Sequence, residues 1–156
     1  MAAPGGSGPR IRQATPEETT QVIERLRAIG MMWEDASPPR TTFLVATDRH
    51  DTVGFVRLEQ DGTDALLGSL YVEPEYRRTG LAGDLVLAAE AAARQAGATR
   101  LFLFSVSTGE YFRSLGYQDT DVQASVEALR GTPQVEWYAS HPAALAKEYA
   151  FSKLLA

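Results

Sequence analysis

Residues 69–97 read SLYVEPEYRRTGLAGDLVLAAEAAARQAG. The stretch starts as an apolar strand, turns at Pro74 and opens a long Ala/Leu helix. At the junction stand Arg77, Arg78, Thr79, Gly80, Leu81, Ala82 and Gly83. The first turn of a helix has N–H groups without internal partners, and the macrodipole makes that end partly positive. Basic residues are unfavourable there unless an anion compensates. Glycine removes side chains that would keep a phosphate from the donors. The turn therefore reads as a cradle for a pyrophosphate.

Two better-known phosphate loops are excluded. The chain has no Gly-x-x-x-x-Gly-Lys-Ser/Thr and no Gly-x-Gly-x-x-Gly. What it has is Arg-x-x-Gly-x-Ala directly after an apolar strand and Pro74. In the context LYVEPEYRRTGLAGDLV, this resembles the acetyl-CoA-binding turn of the GNAT superfamily of N-acetyltransferases, whose pattern is Gln/Arg-x-x-Gly-x-Gly/Ala.

The totals bound the function classes. At 156 residues one domain is the natural count, long enough for a substantial core. A hydrophobic share of 44% and a charged share of 22% suit a soluble globular protein. The net charge of −5 argues against nucleic acid as the main partner. Without cysteine there is no disulfide framework, Cys-based metal site or Cys nucleophile. Two histidines, His50 and His141, make a His-rich zinc site implausible, so no metal is expected. No run approaches the ~20 apolar residues of a membrane span, and the N-terminus shows no apolar signal core. A cytoplasmic location is the default expectation.

Residues 1–9 (MAAPGGSGP) read as a disordered tail, and 10–156 as one domain. Residues 10–14 predict a first strand. Thr15, Pro16 and Glu18 predict the cap and first turn of a helix whose apolar face is Val22, Ile23, Leu26 and Ile29, ended by Gly30. Residues 41–47 and 52–58 read as an antiparallel pair joined through 48–51, and 65–72 as a third strand after the Asp61-Gly62 turn. The helix over 80–97 buries Leu81, Leu85, Val86, Ala89 and Ala93. Residues 99–106 (TRLFLFSV) are apolar enough for burial on both faces, as in a parallel part of a sheet. A short helix over 108–115, a strand over 117–122, helices over 123–130 and 132–140, and a strand over 147–155 complete the chain.

This order resembles the whole GNAT fold, over about residues 10–155. The resemblance implies an α/β (α+β) architecture with helices on both faces of a mixed, mostly antiparallel sheet. That sheet splits like a V between its fourth and fifth strands, and acetyl-CoA lies in the split. Carried over residue by residue, it implies that the backbone of Leu70, Tyr71 and Val72 pairs with the pantetheine arm and thioester. Arg78, Thr79, Gly80, Ala82 and Gly83 would bind the pyrophosphate, with Arg77 at the motif's first position and Leu81 within the turn. The side chain of Arg77 also reads as a surface group pairing with Glu73 or Glu75.

Acetyl transfer needs a neutral amine, donors for the oxygen of the tetrahedral intermediate, and help for the leaving thiolate. The segment Tyr111-Phe112-Arg113-Ser114-Leu115-Gly116-Tyr117 resembles the family's Phe-Tyr-x-x-x-Gly-Phe, whose second-position tyrosine serves many members as the acid. Here that position is Phe112 and the tyrosine is Tyr111. One residue on a helix turns a side chain by about 100°, so Tyr111 does not simply inherit the role. Tyr111 reads as an acid or as a packing or acceptor-site tyrosine. Ser107 and Thr108 are alternative donors. A thiolate can also leave without a strong acid, since thiols have a pKa of about 8.5.

Candidate bases are Glu59 and Glu73, each also readable as a solvated strand-end charge; Glu110 and Glu136 are less favoured. On strict alternation Ala65, Leu67, Ser69, Tyr71 and Glu73 share one face. The connector Met31-Met32-Trp33 falls where the family places part of its acceptor site. It reads as the wall of a pocket or as a lid on the core. Trp137 and Tyr138 read as the opposite wall or as core.

The layout with Glu34-Asp35 and Phe112 also resembles, more narrowly, the small acetyltransferases found with bacterial arsenic-resistance genes. The expected activity is acetyl transfer from acetyl-CoA to a primary amine of a small molecule, by direct attack in a ternary complex, since no cysteine is available for an acyl-enzyme. The displaced tyrosine leaves open an inactive CoA-binding sensor or assembly module. Acetylation of a protein N-terminus or lysine is a third reading. A homodimer is common in this fold, by analogy only.

Overall fold

A computed structural model of the chain describes residues 8–36, 40–107 and 109–155. The tail reading, over its residues 1–7, and Thr108 fall outside that range.

The strands are β1 (Arg10–Gln13), β2 (Thr42–Asp48), β3 (Asp51–Asp61), β4 (Asp64–Val72), β5 (Arg100–Ser105), β6 (Gln118–Thr120) and β7 (Tyr149–Leu154). The helices are α1 (Pro16–Ala28), α2 (Leu81–Gln95), α3 (Glu110–Ser114), α4 (Val122–Ala128), α5 (Pro133–Ala139) and α6 (Pro142–Leu145). The strands form one sheet in the order β1-β2-β3-β4-β5-β7-β6. All pairings are antiparallel except β4 with β5, as the continuous apolar run of β5 implies.

Both sheet faces are covered, which is why the central strands are apolar on both sides. Leu81, Leu85, Val86, Ala89 and Ala93 of α2 are buried against Leu44, Val56, Leu58, Ala65, Leu67, Leu101 and Leu103, together with Tyr117 and Phe151. On the opposite face Val22 and Leu26 of α1 pack on Phe43, Val45 and Phe55. Further along that face Leu129 and Val135 cover Leu66 and Phe102.

α1 starts as its sequence dictates. The Glu18 N–H donates to Thr15 Oγ1 at 3.2 Å, and the Thr15 N–H donates to Glu18 Oε1 at 2.9 Å, with Pro16 in the first turn. The β2–β3 connection turns through Arg49 and His50, both at positive φ (51° and 80°), the backbone a two-residue hairpin of right twist requires.

Three expectations need correction. β3 begins at Asp51 and runs to Asp61, longer than the alternation over 52–58 shows. The last strand starts at Tyr149 because α6, unmarked in the sequence, occupies Pro142–Leu145. The third correction concerns the faces of β4. Phe55 pairs with Tyr71 but Arg57 pairs with Gly68, so two residue steps of β3 oppose three of β4. The extra residue is a β-bulge at Ser69, whose φ is +49°. A bulge reverses the side-chain parity beyond it. Ala65 and Leu67 therefore share the α2 face with Val72, while Tyr71 packs among the α1 cluster and Glu73 bonds Arg25 of α1.

Candidate active site

The pairing of β4 with β5 stops early. Asp64 to Leu67 face Arg100 to Leu103, and no ladder continues beyond Leu67–Leu103 although both strands run on. The strands separate after the bulge, leaving a cleft of about 540 Å³. Gly68, Ser69 and Leu70 line one side; Phe104, Ser105 and Val106 line the other. On the β5 side, the backbone of Gly68 to Leu70 is thus left without a strand partner. The side chains of Tyr71 and Val72 pack on opposite faces of β4. A Cβ at Gly68 would stand 2.5 Å from Gln134 Oε1, so a larger residue there would displace the Gln134 amide.

The N-terminus of α2 follows β4 directly. Three other helices receive a side-chain cap, from Thr15, Asp121 and Thr132. α2 receives none: its cap is Gly80, at φ +90°, and Arg78 before it sits at +63°. The first-turn donors of a 15-residue helix are therefore left to solvent or a ligand, with Gly83 offering no side chain in front of them. The turn itself is braced. Thr79 Oγ1 donates to the Tyr76 carbonyl, and Tyr76 Oη donates to Asp48 Oδ2. Arg77 Nε donates to the Val72 carbonyl at 2.8 Å, and its guanidinium lies 5.6 Å from the Tyr71 ring centroid. Arg77 is thus folded back on β4, paired with neither Glu73 nor Glu75 in these contacts. Arg78 is exposed beside the uncapped turn.

The carboxylates expected as bases are not in the cleft. Glu73 Oε1 accepts from Arg25 Nη2 at 2.9 Å on the α1 side, a consequence of the reversed parity. Glu59 is 2% exposed. Its Oε2 accepts from Arg57 Nε at 2.7 Å and from Thr41 Oγ1 at 3.0 Å, and its Oε1 accepts the Gln134 N–H at 3.0 Å. Burial pushes the Glu59 carboxyl up, opposed by Arg57 and the Gln134 N–H. The far side of Arg57 meets Asp35: Nη1 donates to Oδ1 at 3.0 Å, and Nη2 lies 2.9 Å from Oδ2 as an ion pair without hydrogen-bond alignment. Glu59 is thus buried among these partners, while Glu110 and Glu136 stand at the surface.

Phe112 lines the cleft, where the sequence places the acid position. The ring of Tyr111 points elsewhere: its hydroxyl would lie 3.6 Å from a Cβ on Gly83, and burial with the nearby Asp84 pushes it up. Of the other donors, Ser105 lines the cleft and hydrogen-bonds Ser107 across 2.8 Å.

Beside the cleft opens a second cavity of about 370 Å³. Met31, Met32, Trp33 and Glu34 of the connector form one wall; Trp137, Tyr138, Ala144 and Glu148 form the other. The two apolar segments that stand out in the sequence thus face one another across a pocket. Gly30, Met31, Met32, Tyr138 and Glu148 line both cavities.

Two residues here are not marked by the sequence. Gln134 is buried at the cleft, its Nε2 without a hydrogen-bond partner. Glu148 accepts a hydrogen bond at Oε2 from Tyr138 Oη at 3.0 Å, and burial pushes its carboxyl above the usual range. Sequence alternation absorbs Glu148 into a strand, and nothing local distinguishes it. Among the described residues no three His, Asp or Glu side chains converge as a metal site, and no helix is long and apolar enough to cross a membrane.

Comparison with known proteins agrees with this geometry. Residues 39–119 match the acetyltransferase (GNAT) domain family. The chain is 31% identical over 140 residues to an aminoglycoside N(6')-acetyltransferase type 1 of Stenotrophomonas maltophilia, covering 74% of this chain and 90% of that protein. In fold it is similar to N-acetylglutamate synthase from Neisseria gonorrhoeae, solved with coenzyme A and N-acetyl-glutamate, at 20% identity and a TM-score of 0.70. That match covers 95% of this chain but 35% of the synthase, so the chain spans about a third of that protein. The ribosomal-protein-S18-alanine N-acetyltransferase of Escherichia coli is similar at 16% identity and a TM-score of 0.63, over 72% of this chain and 79% of that one. With a sheet parted between β4 and β5, an uncapped α2 turn and these sequence matches, the chain belongs to the GNAT family of N-acetyltransferases.

Proposed function

We propose that this acetyltransferase moves the acetyl group of acetyl-CoA to a primary amine of a small molecule by direct attack. The observation that carries this reading is the parting of β4 from β5 beside a second cavity. The diphosphate fits the α2 turn at Arg78, Thr79, Gly80, Leu81, Ala82 and Gly83, where donors are left uncapped. The pantetheine arm fits the cleft edge of Leu70 and Ser105, against Phe112. The acceptor fits between Met31–Trp33 and Trp137–Tyr138, a space of about 370 Å³. That volume suits a small molecule better than a peptide segment. Without a cysteine nucleophile, the amine attacks the thioester carbon itself. The C–N bond forms, the carbonyl oxygen takes the charge, and the C–S bond breaks. The thiolate leaves as the anion, in keeping with Phe112 rather than an acid at the cleft.

The test is release of free CoA thiol from acetyl-CoA over a library of amines, with calorimetric titration of CoA. Thiol release with small amines and saturable CoA binding are expected. CoA binding with no thiol release on any amine favours the inactive module, which the phenylalanine at position 112 motivates. Release only with peptides favours the protein-acetylating reading.

A further inference from the structure

We propose that Glu148, held by Tyr138, is the catalytic residue that takes the proton from the attacking amine. The inference rests on the transfer reading above and names a group in it. Glu148 stands where the cleft and the acceptor cavity meet, since it lines both. It is the carboxylate so placed among their lining residues; Glu34 lines the acceptor cavity alone. The two carboxylates the sequence favours as bases are engaged elsewhere: Glu73 with Arg25, Glu59 with Arg57, Thr41 and the Gln134 N–H.

One Glu148 oxygen, Oε2, accepts from Tyr138 Oη at 3.0 Å, which leaves Oε1 for an incoming N–H. Tyr138 is in turn fixed by burial on α5, edge-on to Phe104 at 5.4 Å between centroids. Tyr138 is therefore a positioning residue. Its hydroxyl aims the carboxylate and favours the charged form, against the burial that disfavours it. The charged groups around this pair are Glu34 on the connector, and Asp35 and Arg57 behind the Tyr138 ring.

The amine sheds one proton to solvent on binding and attacks as a neutral base. Formation of the C–N bond leaves a cationic nitrogen and an anionic oxygen. Glu148 takes one proton from that nitrogen, and the C–S bond breaks as the carbonyl re-forms. The CoA thiolate takes a proton from water, and Glu148 returns its own to water. No oxidant, metal or second carrier is needed.

The test uses full-length protein with acetyl-CoA and an amine that turns over. Glu148→Gln should lower turnover about 100-fold, remove the acidic limb of the pH–kcat profile, and leave CoA affinity unchanged. Tyr138→Phe should keep the limb but move it to higher pH, because the carboxylate loses a hydrogen bond to its charged form. Turnover in Glu148→Gln within about twofold of wild type, with the same acidic limb, overturns the assignment and leaves the transfer reading standing. Should Glu148→Gln fail to fold, the Tyr138→Phe profile decides, and an unmoved limb overturns the proposal. A wild-type protein that binds CoA yet releases no thiol on any amine sinks the transfer reading, and this assignment with it.

Discussion

Arg57 Nη1 donates to Asp35 Oδ1 at 3.0 Å, while Nε of the same guanidinium donates to Glu59 Oε2 at 2.7 Å. This links the two walls of the second cavity. Asp35 belongs to the connector that carries Met31, Met32 and Trp33; Glu59 binds the N–H of Gln134 on α5, which carries Trp137 and Tyr138. Arg57 is fully buried, and both carboxylates are buried with it. Such a pair adds little over apolar packing, but removing one partner is expensive because the other charge stays buried.

Asp35→Ala should destabilise the protein by about 3 kcal/mol, read from urea unfolding. In the folded fraction the KM for the acceptor should rise by roughly tenfold or more, with CoA affinity unchanged, because the connector and not the α2 turn loses its tie. An unaltered acceptor KM would contradict a role for the Asp35–Arg57 pair in holding the cavity.

Gly80→Val tests the α2 turn. No atom lies within 4 Å of the place a Cβ would take, so the substitution meets no clash. The φ of +90° is what a β-branched residue resists, at about 1–3 kcal/mol. The turn should relax away from this conformation and misalign its donors. CoA affinity should fall by roughly tenfold or more in calorimetry while the far-UV spectrum is retained; unchanged affinity would remove the diphosphate from this turn.

Tyr111→Phe separates two roles for that ring. Its hydroxyl lies against Gly83 rather than in the cleft beside Phe112. Turnover at saturating acetyl-CoA should stay within about twofold. If turnover instead fell about 100-fold while the KM for acetyl-CoA held, Tyr111 would be the acid.

Acid stability should report on Glu18. Its hydrogen bonds to Arg12 and to the Thr15 backbone hold its carboxyl down at about 2, against an ordinary 4.5. A depressed carboxylate contributes stability above its unfolded value and loses it as the pH falls through its folded value. Glu18→Gln should therefore be less stable than wild type at neutral pH, by about 1 kcal/mol, since Arg12 is half-exposed and its pairing is screened. The two proteins should converge as the pH falls from 4.5 to about 2. A difference that persists at the acid end would assign the effect to the cap's shape rather than its charge.

Local chemistry is legible along much of the chain. Thr15, Pro16 and Glu18 announce α1 because a capping box satisfies donors within four residues. The apolar run at Arg100–Ser105 announces a strand buried on both faces, and it does pair in parallel with β4. The turn at Arg77–Gly83 is readable because a positive φ and an uncapped helix start are properties of a few adjacent residues. α6 is not, because four residues from Pro142 show no period.

The candidate site is legible only in part. Met31–Trp33 and Trp137–Tyr138 read as cavity walls or as core, and they face one cavity while Tyr138 is also buried. Glu59 and Glu73 draw attention by their position at strand ends, and both point to partners the sequence does not show. The single residue added at Ser69 reverses everything after it on β4, so alternation puts Tyr71 and Glu73 on the wrong face.

By itself, then, the order of residues determined most of the elements, the uncapped turn before α2 and the family, because helix starts, turns and strand runs are set by interactions between near neighbours. Which carboxylate stands where the two cavities meet was decided only when distant segments packed. Glu148 and Tyr138 come together across ten positions and two elements, and Arg57 reaches Asp35 across twenty-two. Burial and pairing at such separations are products of the folded sheet, and no short-range pattern encodes them.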